Sequence, residues 1–490
     1  MTSLADTFEE LLQATRQAFP QLRTFLHARR LAYGFAVAWG RRTISRALCA
    51  THDQFHDWSA SYRFFSRSPW EPENVFRPIL RRCLEQGKGP FVVAMDDTSL
   101  RKTGRHVPGG TYLHDPMSPP FAPSFMRGQR FIQAAAVLRP EGLEGPARTI
   151  PVRFDPAPPP QKPVKRADEA ARLAYQQAKR TQNLSAKGAH LIANLRKSMD
   201  DAGYTHRTLL IAVDGSYCNR NVLRQLPDRV QVIGRARGDI RLFRPLTQAE
   251  AEASRRRKYG AALPLPKNML ADATVPERRA KVFGAGKVHD LRYKVVERVL
   301  WRSGTRTQLL RLFVIAPVRY RPRIGGRLLY RDPAYLLTTD LTSPDEVLLQ
   351  AYFDRWEIEV NHRDEKDLLG VGQAQVWSER AAWRVPQFQV AVYAMLLLAA
   401  LLAYGPRRTD AYLPAPKWRK QESRRPSTLD IMALLREELM DKVIEGFSSP
   451  VRPPKHSDRT TADISMESEP ETTATMSPIN PLVAVLYAAT

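Results

Sequence analysis

Acidic residues are in short supply: 50 Asp and Glu stand against 75 Lys and Arg, a formal charge of +25 over 490 residues. So large a basic surplus implies a polyanionic partner, of which nucleic acid is the commonest. Cysteine is scarcer still. Cys49, Cys83 and Cys218 are odd in number and far apart, which argues against a disulfide framework or a Cys-ligated zinc cluster and fits a reducing cytoplasm. Long apolar runs are limited to one, VAVYAMLLLAALLAY at residues 390–404. It falls short of the roughly 18–20 residues a membrane span requires and reads as a buried helix. The opening MTSLADTFEELLQATRQAF carries acids and has no apolar h-region, so no secretion signal is expected. Neither an internal repeat nor a helix-turn-helix signature stands out.

The basic charge that is present is concentrated. Residues 233–333 hold 24 Lys or Arg against 8 Asp or Glu, a surplus of 16 in one middle segment. Two regions before this block share one pattern. Residues 1–85 read as a helical, DNA-binding domain. PFVVAMDDTSL is a short apolar run closing on two carboxylates, as a buried central strand does when it delivers an acid at its C-terminal end. RFIQAAAVLRP and RTIPVRFDP read as neighbouring strands, PAPPPQKP as a stiff connection. After a helical stretch, RTLLIAVDGSY repeats the strand-then-acid pattern and ends on Asp214. The expected division is a helical domain (1–85), an α/β core (86–232), a basic β-rich insertion (233–333), a second core part (334–405), and a C-terminal region (406–490) with one amphipathic helix and a disordered tail.

SPDEVLLQAYFDRWEIEVNHRDEKDLLG, from Ser343 to Gly370, reads as one helix, with Ser343 as N-cap, Pro344 at N1, Glu346 closing a capping box and Gly370 as the stop. At about 100° per residue, Tyr352, Arg355, Glu359 and Lys366 share an arc of about 60°. Val347, Ala351, Ile358 and Leu369 form a separate apolar stripe. On this geometry alone a solvated charged face explains the first group. Three acids alter that reading: Asp97 and Asp214 close buried strands, Glu359 lies on a helix following a third, and carboxyl ends of strands are where open α/β folds place their sites. Three convergent carboxylates suit hard divalent cations, Mg²⁺ or Mn²⁺.

The spacing Tyr352-x2-Arg355-x3-Glu359-x6-Lys366 resembles the Y-R-E-K signature of bacterial insertion-sequence transposases, DDE enzymes with an RNase H-like core. The resemblance covers about residues 85–405. AMDDTSL is similar to their first-acid motif, in which the Asp before Thr is the ligand, so the resemblance assigns Asp97; IAVDGSYCNRNVL assigns Asp214, and Glu359 is the third acid. A β-rich insertion between the second and third acids is also a feature of that group. The implied fold is an RNase H-like mixed sheet flanked by helices. The implied function is DNA transposition: two Mg²⁺ ions (Mn²⁺ substituting) held by Asp97, Asp214 and Glu359, hydrolysis at the transposon ends, then strand transfer into target DNA by a homodimer bound to double-stranded DNA. Tyr352, Arg355 and Lys366 are expected on DNA phosphates. Arg255, Arg256, Arg257 and Lys258 form a basic loop that would track the backbone, and Trp301 is a candidate for stacking on an unpaired base. With Asp97 pointing into the site, Asp96 is expected to point away from it; Glu357 is given no role, and His362 is read as a helix-surface residue without one. The rival readings are an RNase H-like nuclease without strand transfer and a non-catalytic DNA-binding protein derived from a transposase.

Overall fold

The fold is described from a computed structural model, which covers residues 2–448 except 105, 116–117, 120, 141–144, 255, 285, 322–324 and 418–424. The expected disordered tail, from 449 onward, lies outside the described residues. The chain opens with helices α1 (Leu4–Ala14), α2 (Leu22–Val37), α3 (Ile44–Ala50), α4 (Trp58–Ser66) and α5 (Pro72–Leu84). Strands β1 (Phe91–Arg101), β2 (Thr111–His114), β3 (Phe125–Leu138) and β4 (Arg148–Pro156) follow, then helices α6 (Glu169–Thr181) and α7 (Leu184–Asp201). Next come β5 (Leu209–Val213), α8 (Arg220–Leu223), β6 (Val230–Arg235) and α9 (Gln248–Ala253). The basic segment supplies β7 (Glu277–Gly284), β8 (Lys287–Leu300), β9 (Leu309–Ile315), β10 (Arg319–Tyr320) and β11 (Leu329–Tyr330). The chain then returns through β12 (Ala334–Thr338), α10 (Asp345–Asp354), α11 (Glu357–Asp367), α12 (Glu379–Tyr404) and α13 (Thr428–Ser448).

One sheet organises the molecule. Its path runs β2-β3-β1-β5-β6-β12-β9-β8-β7, with β4 also paired to β3. β1, β5 and β6 are parallel neighbours rich in Val, Ile, Leu and Ala, and β5 is buried along its whole length, as a strand covered on both faces requires. The antiparallel β3 and β4 complete an RNase H-like half. The basic segment adds to this same sheet instead of forming a separate layer: β12 bridges β6 to β9, and β8 and β7 extend the edge. The outermost strand, β7, exposes Arg278, Arg279 and Lys281, charges that discourage edge-to-edge pairing.

The long apolar run belongs to a longer helix than its 15 residues suggest. α12 spans 26 residues and is long and apolar enough to cross a membrane by length and composition, but it is packed inside the protein, buried from Ala381 to Ala400 save for Trp383. Helices α1, α2, α4 and α5 pack against it, α3 packs on α2, and their side chains join those of one face of the sheet in a continuous core. Buried Arg384 reaches back from α12 to donate to the Ser68 carbonyl at 2.7 Å, and the Arg207 guanidinium ties the carbonyls of Leu84 and Gly89 (2.6 and 2.8 Å) to the start of β5.

Three local expectations need correction. β1 does not end at its acids: it continues to Arg101 beside β3, and what stops is its pairing with β5, at Met95–Val213. Asp96 and Asp97 therefore sit where a central strand loses one neighbour. The 344–369 helix is two helices, because the bonds Ile358 N to Arg355 O and Glu359 N to Trp356 O (both 3.0 Å) are i to i+3 bonds, the tighter turn of a 3₁₀ step. Nor does Ser343 cap α10. Its hydroxyl and backbone N–H donate to Asp340 (2.6 and 2.9 Å), whose carboxylate gathers the Thr342 N–H as well.

Candidate active site

The strand geometry separates the two neighbouring acids of β1. Side chains alternate across a strand, and on β1 the parity is fixed by the packing. Ala94 meets Ile358 of α11 on one face, whereas Met95 faces α7 and Tyr217 on the other. Asp96 therefore shares the α11 face, across from Gln133 of β3, and Asp97 shares the α7 face. Asp214, one residue past β5, has the parity of Ala212, on the face covered by α10. Its carboxylate lies near enough to Asp96, Asp97 and Glu359 to raise the pKa of all three.

Arg355 marks the same face. Its Nη1 lies 3.1 Å from Asp96 Oδ2 and its Nη2 3.7 Å from Glu359 Oε1, so one guanidinium holds a strand carboxylate and a helix carboxylate together. Burial pushes Asp96 up to about 7; Arg355 opposes that shift, and Asp214 and Asp97 add to it. Glu359 is likewise raised, first by burial, with Arg355 opposing and Asp214 reinforcing. The Asp214 carboxylate accepts from the Ser216 N–H at 2.9 Å, which fixes the loop after β5.

Asp97 has a different environment. Arg130 Nε stands 3.3 Å from its Oδ2, and the Tyr217 hydroxyl donates to Oδ1 at 3.3 Å. Burial raises its pKa, Arg130 opposes, and Asp214 contributes a further rise. Tyr217 is admitted to this face by Gly188 of α7, where a Cβ would come within 2.7 Å of the ring. The expectation that Asp97 points toward Glu359 while Asp96 points away is thus reversed: α11 covers the Asp96 face. The sequence carried no signal for this, because adjacent Asp residues fit either parity until the covering helix is placed.

The remaining expected residues divide. Arg355 stacks over Tyr352, 5.8 Å from the ring centroid, so these two stand together at the site. Neither Asp354 nor Glu357 competes for Arg355: Asp354 pairs with Arg139, and Glu357 accepts from Arg425 at 2.7 Å. Lys366 is partly buried, its pKa lowered by desolvation, and among the described residues no carboxylate forms an ion pair with it. His362 is buried, not on the surface, and burial, then Lys366 and Arg355, depress its pKa to about 3. Arg256, Arg257 and Lys258 are exposed, with Arg257 3.6 Å from Glu250. Arg255 lies outside the described residues. Trp301 lines a cleft of about 700 Å³ beside the Asp214 loop, with Gly215, Asn219, Arg235, Lys267 and Tyr335. Arg235 and Lys267 were not singled out from sequence, where they are two among many basic residues.

Among the described residues no three acids, histidines or cysteines already stand close enough to hold a metal ion. The donor chemistry nonetheless fits a hard divalent cation: Asp96, Asp214 and Glu359 are carboxylates on one face, two of them destabilised in the charged form, with a single guanidinium between them.

A mixed sheet of this order flanked by helices, with Asp96 and Asp214 just past the point where the parallel pairing of β1 and β5 stops, is consistent with the fold of the RNase H-like nucleases. The profile of the DDE superfamily endonucleases matches residues 16–308, more than half of the chain, and the protein belongs to that family. The matched span holds β1 and the Asp214 loop and ends before α11. A search among curated proteins finds none that matches. Family membership makes the protein a nuclease-type enzyme and implies a DNA substrate.

Proposed function

We propose that the protein is an insertion-sequence DNA transposase that cuts at the element's ends and joins them to target DNA. The observation that carries this reading is the pairing of Arg355 with both Asp96 and Glu359, with the Asp214 carboxylate near enough to raise the pKa of each. The three carboxylates would hold two Mg²⁺ ions, with Mn²⁺ substituting, and Asp96 takes the first position in place of Asp97. Held there, such ions would supply activation of the attacking oxygen and charge stabilisation of the leaving one in phosphodiester displacement.

The chain's own residues do the rest. Arg355 presents a planar fork suited to phosphate oxygens, and its exchange between carboxylates and phosphate would make the site sensitive to DNA binding. Lys366, with no carboxylate committed to it, adds a point charge. Tyr352 supports Arg355 from below and contributes a hydroxyl. Arg256, Arg257 and Lys258 track the DNA backbone outside the site, and Trp301 offers a face for a base beside the Asp214 loop. In the first step water forms the new P–O bond and the 3′ oxygen leaves with a proton. In the second that 3′-OH attacks a target phosphodiester, and the displaced target 3′ oxygen takes up the proton. Two ends must be processed together, so the active species is a homodimer on DNA in the cytoplasm.

The test is incubation of a labelled duplex spanning the element's terminus with Mg²⁺, Mn²⁺ or chelator. Metal-dependent nicking by wild type and none by Glu359→Gln is expected. Binding without cutting under every metal would remove the catalytic reading. A pre-cut end that is never joined to a second duplex would leave a nuclease without strand transfer.

A further inference from the structure

Beyond the acids, β1 and β3 run on together and carry a β-ribbon that the proposed chemistry does not use. Strands β2 and β3 pair from Thr111–Gly128 to His114–Phe125. Their outer part holds the largest exposed aromatics of the sheet: Tyr112 is 74% exposed, Phe125 70% and, in the connecting turn, Phe121 90%. Such side chains on an ordered ribbon leave considerable apolar surface in water and mark an interaction site.

The ribbon is held firmly at its base. Lys102 Nζ donates to the Gly372 carbonyl at 2.6 Å, and Gln129 Nε2 donates to the Pro108 carbonyl at 2.8 Å. Gly109, at φ +70°, lies so close to the Trp383 ring that a Cβ would overlap it. The base of the ribbon is therefore fixed relative to the acids. It is also basic: the Arg127 guanidinium sits 5.9 Å over the Tyr112 ring, and Arg101 is exposed where β1 ends.

Register fixes its direction. Tyr112 is opposite Arg127 and His114 opposite Phe125, and Arg127 and Phe125 share the parity of Gln133, which faces Asp96. From Gln133 to Phe125 is eight residues, or about 26 Å of strand, equal to about eight base pairs of duplex.

The geometry points to a second DNA contact: the β2–β3 ribbon presses Tyr112 and Phe125 against duplex DNA about six to eight base pairs from the scissile phosphodiester, with Arg127 and Arg101 on the adjoining phosphates. A two-stranded ribbon is narrow enough to enter a groove, and apolar wedges inserted between base steps bend a duplex and bring more of it onto the protein. This inference rests on the DNA-cutting reading above. Charge complementarity favours DNA over a second copy of this equally basic chain.

The test measures affinity for a labelled 40-base-pair duplex of mixed sequence, using wild type, Tyr112→Ala/Phe125→Ala, and Tyr112→Phe. The double variant is expected to bind about tenfold or more weakly, with Tyr112→Phe close to wild type and thermal melting unchanged, since both side chains are exposed. If the pair lowers the melting temperature, the single variants Tyr112→Ser and Phe125→Ser carry the test. Wild-type affinity in the variants overturns the ribbon contact and leaves the active-site reading intact. Unchanged affinity together with a smaller particle by light scattering assigns the ribbon to a second copy and also overturns it. Failure of wild type to bind any duplex removes both readings.

Discussion

At the residue scale, the account turns on what one guanidinium does. Arg355 touches Asp96 and Glu359 and stacks on Tyr352, a combination a lysine cannot reproduce, because its ammonium is a point charge without a planar fork. Arg355→Lys is expected to slow nicking by roughly tenfold or more while duplex affinity changes only a few-fold; equal losses in both would reduce Arg355 to a DNA-binding residue. A second expectation concerns Glu365 on α11. It is buried, and burial pushes its carboxyl up to about 8, above the ordinary carboxylate range. The folded protein then holds a proton that the unfolded chain has already released, so stability falls as pH rises from about 4.5 toward 8. Glu365→Gln should flatten that part of a melting-temperature profile, and an unchanged slope would show that Glu365 ionises normally. These residues also show where sequence reasoning stops. Tyr352, Arg355, Glu359 and Lys366 were legible as a group because of their spacing. The side of the sheet they meet was not, so the choice between Asp96 and Asp97 needed the helix placed. His362 looked like a surface residue because polar side chains on a charged helix give no sign of which one turns inward.

At the scale of elements, short apolar runs identified β1 and β5 because a strand covered on both faces has little freedom in composition. The helix break was hidden. Asp345 to Asp367 contains no Gly or Pro, and the break is set by tertiary contacts: Asp354 turns inward to Arg139, while Trp356, one residue beyond Arg355, stays exposed. Arg139 should therefore be a structural residue for the corner between α10 and α11. Its loss leaves a buried carboxylate without its cation, which costs about 3 kcal/mol, and Arg139→Ala should lower the denaturation midpoint accordingly. Arg139→Met combined with Asp354→Leu should recover most of that loss, because an apolar pair of similar size leaves no charge behind. Failure of the double variant to recover would mean that the pair sets the turn itself.

At the scale of the whole molecule, the basic middle segment has a place in the sheet. It extends the core edge through β12, β9, β8 and β7 and does not hang as a separate domain. Sequence marked it as β-rich and basic, but continuity with β6 is a long-range pairing that no local pattern encodes. The N-terminal helices, read as a domain of their own, share the core with α12 for the same reason. The placement of so much positive charge on one sheet edge makes DNA affinity depend on counterion release. Each neutralised phosphate should contribute a slope of about −0.9 in log affinity against log salt. Arg278→Gln combined with Arg279→Gln and Lys281→Gln should make that slope shallower; an unchanged slope would place the DNA elsewhere.

The most direct test of the central claim is nicking of the labelled terminus by Asp96→Asn and Asp97→Asn, side by side with wild type in Mg²⁺. With Asp96, Asp214 and Glu359 as the working acids, Asp96→Asn abolishes cutting, while Asp97→Asn, altering a group held by Arg130 and Tyr217 on the other face, retains measurable activity. Loss in Asp97→Asn with activity kept in Asp96→Asn would contradict the account and return the first position to Asp97.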